Sequence, residues 1–115
     1  MPSATNRNLS VMPQRGDDPV QVDPQHYKVE FENDRIRVLR IRYGPHEQSV
    51  MHGHPESVVI FLTDEHAQFT TPDGNTEEHR VRAGQTLFVP AGQHLPQNLS
   101  ADPYEVVCVE LKSGK

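Results

Sequence analysis

The sequence predicts an all-β protein, a small antiparallel β-barrel or jelly roll. Three observations predict it. Apolar residues alternate with polar ones in short runs, as where Tyr27, Val29 and Phe31 alternate with Lys28, Glu30 and Glu32; that period of two is the signature of a half-buried strand. Turn signals recur between the runs, at Asn33-Asp34, Gly44-Pro45, Pro72-Asp73-Gly74-Asn75 and Pro90-Ala91-Gly92. No stretch of useful length carries a helical period. Closing such strands on themselves disposes of exposed edges and leaves a mouth that can hold one small ligand.

Residues 1–24 are rich in Pro, Asp, Gln, Ser and Asn without apolar periodicity, and read as a flexible N-terminal arm. Val20 and Val22 alternate with polar neighbours, so the end of the arm could add a short strand to a sheet edge. The folded domain is expected over residues 25–115. After the strand at Tyr27, the stretch Arg35–Tyr43 is strongly strand-like, and its apolar parity switches between Val38 and Leu39. That switch predicts either a β-bulge or a strand buried on both faces. A loop from His46 to Val50 leads to a strand at His52 and His54, with Val58–Leu62 as its buried continuation. Thr63-Asp64-Glu65-His66 reads as a hairpin turn, followed by strands over Ala67–Thr71, Thr76–Val81, Gln85–Val89, His94–Leu99 and Tyr104–Leu111.

The totals limit the function. A chain of 115 residues with 34% hydrophobic content suits one domain with a modest core. A formal charge of -5 with no Lys/Arg cluster argues against nucleic-acid binding, because nothing is placed to neutralise phosphates. The single cysteine, Cys108, excludes an intrachain disulfide; set in a Val-rich run, it reads as a small buried hydrophobe. No apolar run approaches a signal peptide or a membrane span, so a soluble, cytoplasmic protein with no membrane partner is expected.

The chemistry-bearing stretch is Met51-His52-Gly53-His54-Pro55. On a strand, His52 and His54 point to one face, and two imidazoles so placed can grip one metal ion, imidazole suiting zinc, copper, iron and nickel. A third histidine, His94, follows the turn Pro90-Ala91-Gly92. His26, His66 and His79 read as surface residues, and Phe61, Phe69, Phe88 and Tyr43 as fillers of the barrel. There is no nucleophile-plus-base arrangement, phosphate loop or Cys-His zinc framework.

Two segments together resemble the cupin superfamily: Gly44 with His52 and His54, and Gly84, Pro90, Gly92, His94 and Asn98. The resemblance runs from about Tyr27 to Leu111. The chain departs from the family pattern in three places. Seven residues separate Gly44 from His52, and one separates Gly92 from His94. Val58 and Val59 stand where the family's glutamate ligand is expected. The resemblance therefore implies a double-stranded β-helix of the RmlC-like type with a three-histidine site of His52, His54 and His94. Residues expected around it are His46, Gln48, Glu56, Gln97 and Asn98. It also implies one divalent transition metal, ferrous iron preferred and zinc, nickel, manganese or copper as alternatives, and a homodimer. Three facial imidazoles leave coordination positions open, as in the iron cupins that act as thiol or diketone-cleaving dioxygenases. Without the carboxylate the site is one unit more positive, which favours a small anionic substrate. The expected function is a metal-dependent, dioxygenase-like oxidoreductase; the alternatives are a non-catalytic cupin binding a small molecule or metal, and a small sugar or acid isomerase.

Overall fold

The computed structural model describes residues 17–112. The strands are β1 (Tyr27–Glu32), β2 (Ile36–Tyr43), β3 (His52–His54), β4 (Ser57–Phe61), β5 (Glu65–Thr70), β6 (Thr76–Val81), β7 (Thr86–Val89), β8 (Gly92–Asn98) and β9 (Tyr104–Leu111). They form a five-stranded sheet in the order β1-β2-β9-β4-β7 and a four-stranded sheet in the order β3-β8-β5-β6. Every pairing within them is antiparallel. The result is a jelly roll of two sheets, which are not joined into one continuous barrel wall. Among the described residues, no helix is long and apolar enough to cross a membrane.

Directly opposed residues of an antiparallel pair share a face, so the register sorts the five-stranded sheet into two surfaces. Leu39, Cys108 and Val59 lie opposite one another, as do Ile41, Val106 and Phe61. Both rows belong to the buried cluster between the sheets, or pack on it, and Ala67 of β5 joins them there. The next row over runs Phe31, Val38, Val109, Val58 and Phe88 and points the other way. At its two ends Phe31 is 52% exposed and Phe88 58%. Phe88 therefore does not fill the interior as expected from sequence. Nor does Phe31, because β1 buries only Tyr27.

Of the two expected causes of the parity switch, burial on both faces of β2 is the one that holds, since β2 pairs with β9 in unbroken register and the bulge falls on β1. Val38 and Leu39 are both buried, and the β1–β2 register shifts between Val29 and Phe31, which pair with Leu39 and Val38. The extra residue, Glu30, sits on β1.

Two expectations need correcting. β4 does not continue β3: the chain breaks at Pro55-Glu56 and crosses from the four-stranded to the five-stranded sheet. Proline cannot donate to a ladder, and Ser57 Oγ donates to the Pro55 carbonyl at 2.8 Å, turning the chain. The second concerns the arm, whose first sixteen residues lie outside the described residues. Val20 and Val22 form no strand. They belong to one helical turn, α1 (Pro19–Val22), opened by the Asp18 side chain accepting from the Val20 amide and by Pro at its first position. Pro19 is buried, and Val20 packs on the core cluster.

Candidate metal centre

Two pieces of strand build the centre. β3 pairs with β8 so that His52 lies opposite His94, and His54 lies opposite Gly92. Residues two apart on a strand share a face, as do opposed residues, so all three imidazoles emerge on the inner side of the four-stranded sheet. Their ring centroids are 5.0 Å (His52–His54), 4.9 Å (His52–His94) and 5.2 Å (His54–His94) apart. The ring planes cross at 82°, 89° and 72°. One nitrogen from each ring lies within 4.8 Å of the other two.

The hydrogen bonds set the tautomers. His52 Nδ1–H donates to the Val50 carbonyl at 2.8 Å, and His54 Nδ1–H donates to Glu110 Oε2 at 2.7 Å. Both rings are thereby left with Nε2 as the lone-pair nitrogen. The buried Nε2 atoms of His52 and His94 have no hydrogen-bond partner. Burying such polar atoms unpaired costs free energy, and a shared cation is the partner that three converging lone pairs fit. Burial, and then the neighbouring His54, pull the His52 pKa down to about 4. The same two causes, with His52 added, hold His94 well below the usual histidine range. Neutral imidazole is the form that binds metal.

Sequence reasoning missed the residues that hold the rings. Glu110, on β9 of the opposite sheet, is fully buried. While Oε2 takes the His54 proton, Oε1 accepts from Arg37 Nε at 2.8 Å. Arg37 in turn makes a forked pair with Asp18 at 2.9 and 3.1 Å. His26 was expected at the surface but is buried: it stacks on Tyr43 with centroids 4.2 Å apart. Its Nδ1 faces Asp23 Oδ2 at 2.8 Å and its Nε2 faces Glu47 Oε1 at 2.9 Å. Asp23 Oδ2 also accepts from Ser49 Oγ at 2.5 Å, which ties the loop before β3 to the turn after α1. Gly44 owes its place in the motif to this loop: the Glu47 carboxylate takes the Gly44 amide at 2.7 Å, and a Cβ there would lie 3.0 Å from Glu47 Cδ.

The residues expected around the centre serve elsewhere. Asn98 is fully buried, but its amide donates to the carbonyls of Gly44 and Asp102 and its oxygen accepts from the Ser100 amide. Gln48 and Gln97 meet in an isolated bridge. Glu56 is exposed on the sheet crossing, and His46 is exposed at a φ of 61°. None of the five has a hydrogen bond to the three rings among the described residues. A second trio, His54, Cys108 and Glu110, also comes within 4.8 Å. There both Glu110 oxygens are engaged, and burial pushes the Cys108 thiol up to about 12, so it stays a protonated, inert hydrophobe.

His54 and His94 open into a cavity of about 490 Å³ between the sheets. Exposed residues of the β7–β8 turn, Pro90, Gly92 and Gln93, rim it near the histidines, whereas buried Phe61, Glu65, Tyr104 and Val106 line its closed end.

No protein-family model matches the sequence, and no curated protein matches it. Solved structures do. A cupin domain from Bordetella pertussis Tohama I superposes with a TM-score of 0.70 at 26% identity, over 76% of this chain and 92% of that one. An RmlC-like cupin family protein with a double-stranded β-helix fold from Methanocaldococcus jannaschii gives 0.58 at 23%, over 78% and 84%. The polyketide cyclase RemF from Streptomyces resistomycificus gives 0.57 at 20%, over 76% and 64%. Taken with the jelly roll and the two histidine-bearing segments on β3 and β8, these likenesses make the chain a member of the cupin superfamily.

Proposed function

We propose that the protein holds one divalent transition metal on His52, His54 and His94 and uses it as a dioxygenase-like oxidoreductase on a small anionic molecule. The observation that carries the reading is the convergence of three imidazole nitrogens, two of them buried and without a partner, at the rim of a cavity. When bound, such an ion supplies Lewis-acid and redox chemistry, and ferrous iron is the favoured occupant. The chain's own residues do the rest. Val50 and Glu110 fix the His52 and His54 tautomers. Phe69, 5.0 Å from His94 ring to ring, keeps one wall dry. No carboxylate joins the three rings on their metal-facing side among the described residues, so a bound dication keeps its charge and attracts an anion.

Elemental analysis of untagged protein tests the site. Wild type should carry about one metal per chain, and His52→Ala should lose most of it while staying folded; equal metal in both would overturn the ligand set. Protein loaded anaerobically with ferrous ion should then consume oxygen with a member of a thiol, diketone and hydroxy-acid panel. Ligand-induced thermal stabilisation without oxygen uptake would instead favour a binding cupin.

We also infer a homodimer through the outer face of the five-stranded sheet. The apolar row Phe31, Val38, Val109, Val58 and Phe88 crosses all five strands of that face.

A further inference from the structure

We propose that the closed end of the cavity is a recognition subsite for a protonated amine, with Glu65 as its counter-charge. Glu65 begins β5, is 7% exposed and lines the cavity. Among the described residues it has no ion pair, and its carboxyl accepts no hydrogen bond. The titratable groups that face it are the phenols of Tyr43 on β2 and Tyr104 on β9. β6 presents Val81 opposite it, and Phe61 of β4 lies nearby in the same cavity end. Among the described residues, no cation pairs with it.

A buried carboxyl without a partner is costly to ionise; here burial alone raises its pKa to about 7. A group that costs stability and points into a cavity is a place where a ligand can supply the missing charge. The walls between the two ends are apolar, with Ile41, Val59 and Phe69 among them. Glu65 stands four residues before Phe69 on β5, roughly 13 Å of strand, and Phe69 packs on His94. The cavity therefore suits an extended molecule with an apolar middle, an ammonium group at the deep end and an anionic chelating group at the histidines. The anionic end rests on the metal reading above; the amine subsite does not, because it uses no metal.

The test uses hexylamine and its neutral counterpart 1-hexanol as probes, titrated calorimetrically into the full chain. Near pH 8, where Glu65 is ionised and the amine is protonated, hexylamine should bind at least about tenfold tighter than hexanol. The preference should shrink towards pH 5.5 as Glu65 takes up a proton. Glu65→Gln should abolish the preference and leave hexanol binding unchanged, while Glu65→Asp should retain part of it. Equal binding of the two probes to wild type would overturn the subsite. So would a preference that survives in Glu65→Gln, which would place the amine at Glu77 on the rim instead. Because neither probe needs a metal, a failed subsite and a failed metal site give separate results.

Discussion

Glu110 has a different job on each oxygen: one holds His54 by its ring proton, and the other is held by Arg37. Outer carboxylates of this kind orient a metal-binding histidine and raise its basicity. Glu110→Gln keeps the shape and loses the charge. It should weaken metal affinity by about 10- to 100-fold in a competition titration against a chromophoric chelator, and unchanged affinity would mean that His54 is oriented by something else. Glu65 gives a second prediction, on stability against pH. Its folded pKa is raised from 4.5 to about 7, so the folded state binds the extra proton between those values. Stability therefore falls as pH rises through that window and levels off above it. Glu65→Gln should be more stable than wild type above about pH 7, by up to about 3 kcal/mol, with the gain gone below about pH 4.5. His52, lowered to about 4, acts the other way, destabilising the fold as pH drops below 6.5. That slope is common to both proteins and cancels in the difference between their urea denaturation curves. A gain independent of pH would sink the assignment to the carboxyl. The three histidines were legible in the sequence because strand parity and one turn place them. Glu110 was not, because it meets His54 across 56 residues and only the β2–β9–β4 register brings it there.

At the scale of elements, alternation and turn residues located most strands, with Thr76–Val81 and Tyr104–Leu111 falling where expected. The turn chemistry is equally local: Asn33 Oδ1 accepts from the amides of Arg35 and Ile36, and Gly84 turns the chain into β7 at a φ of 89°, which side-chain-bearing residues rarely adopt. What alternation could not give was sheet membership. His52–His54 and Ser57–Phe61 look like one strand because both are compatible with a buried face, and only Pro55 marks the crossing. The helical turn at Pro19–Val22 was hidden for another reason. One turn is too short to show a period, and its evidence is an N-cap Asp with Pro next to it. That turn is no loose tail, for Asp18 anchors Arg37 and Asp23 anchors both His26 and Ser49.

For the molecule as a whole, the jelly roll followed from composition and turn spacing, whereas the outward apolar row did not. Alternation says that a strand has two faces but not which one meets the core, so the sequence places Phe88 inside and leaves the outward turn of Phe31 unmarked. The row gives the quaternary prediction. A stable homodimer buries about 800 Å² per partner, and the proposed contact would centre on this row. Wild type should sediment as a dimer and Phe88→Glu as a monomer with its metal content unchanged; a wild-type monomer at all accessible concentrations would remove the proposal. The bond from His54 to Glu110 joins residues of different sheets, and so fastens the two layers of the sandwich at the rim of the cavity. An ion gripping His54 would stiffen that clasp. Amides of β3 and β9 should then exchange with deuterium more slowly once metal is added, so that loading of the centre is felt in a layer that supplies none of its ligands.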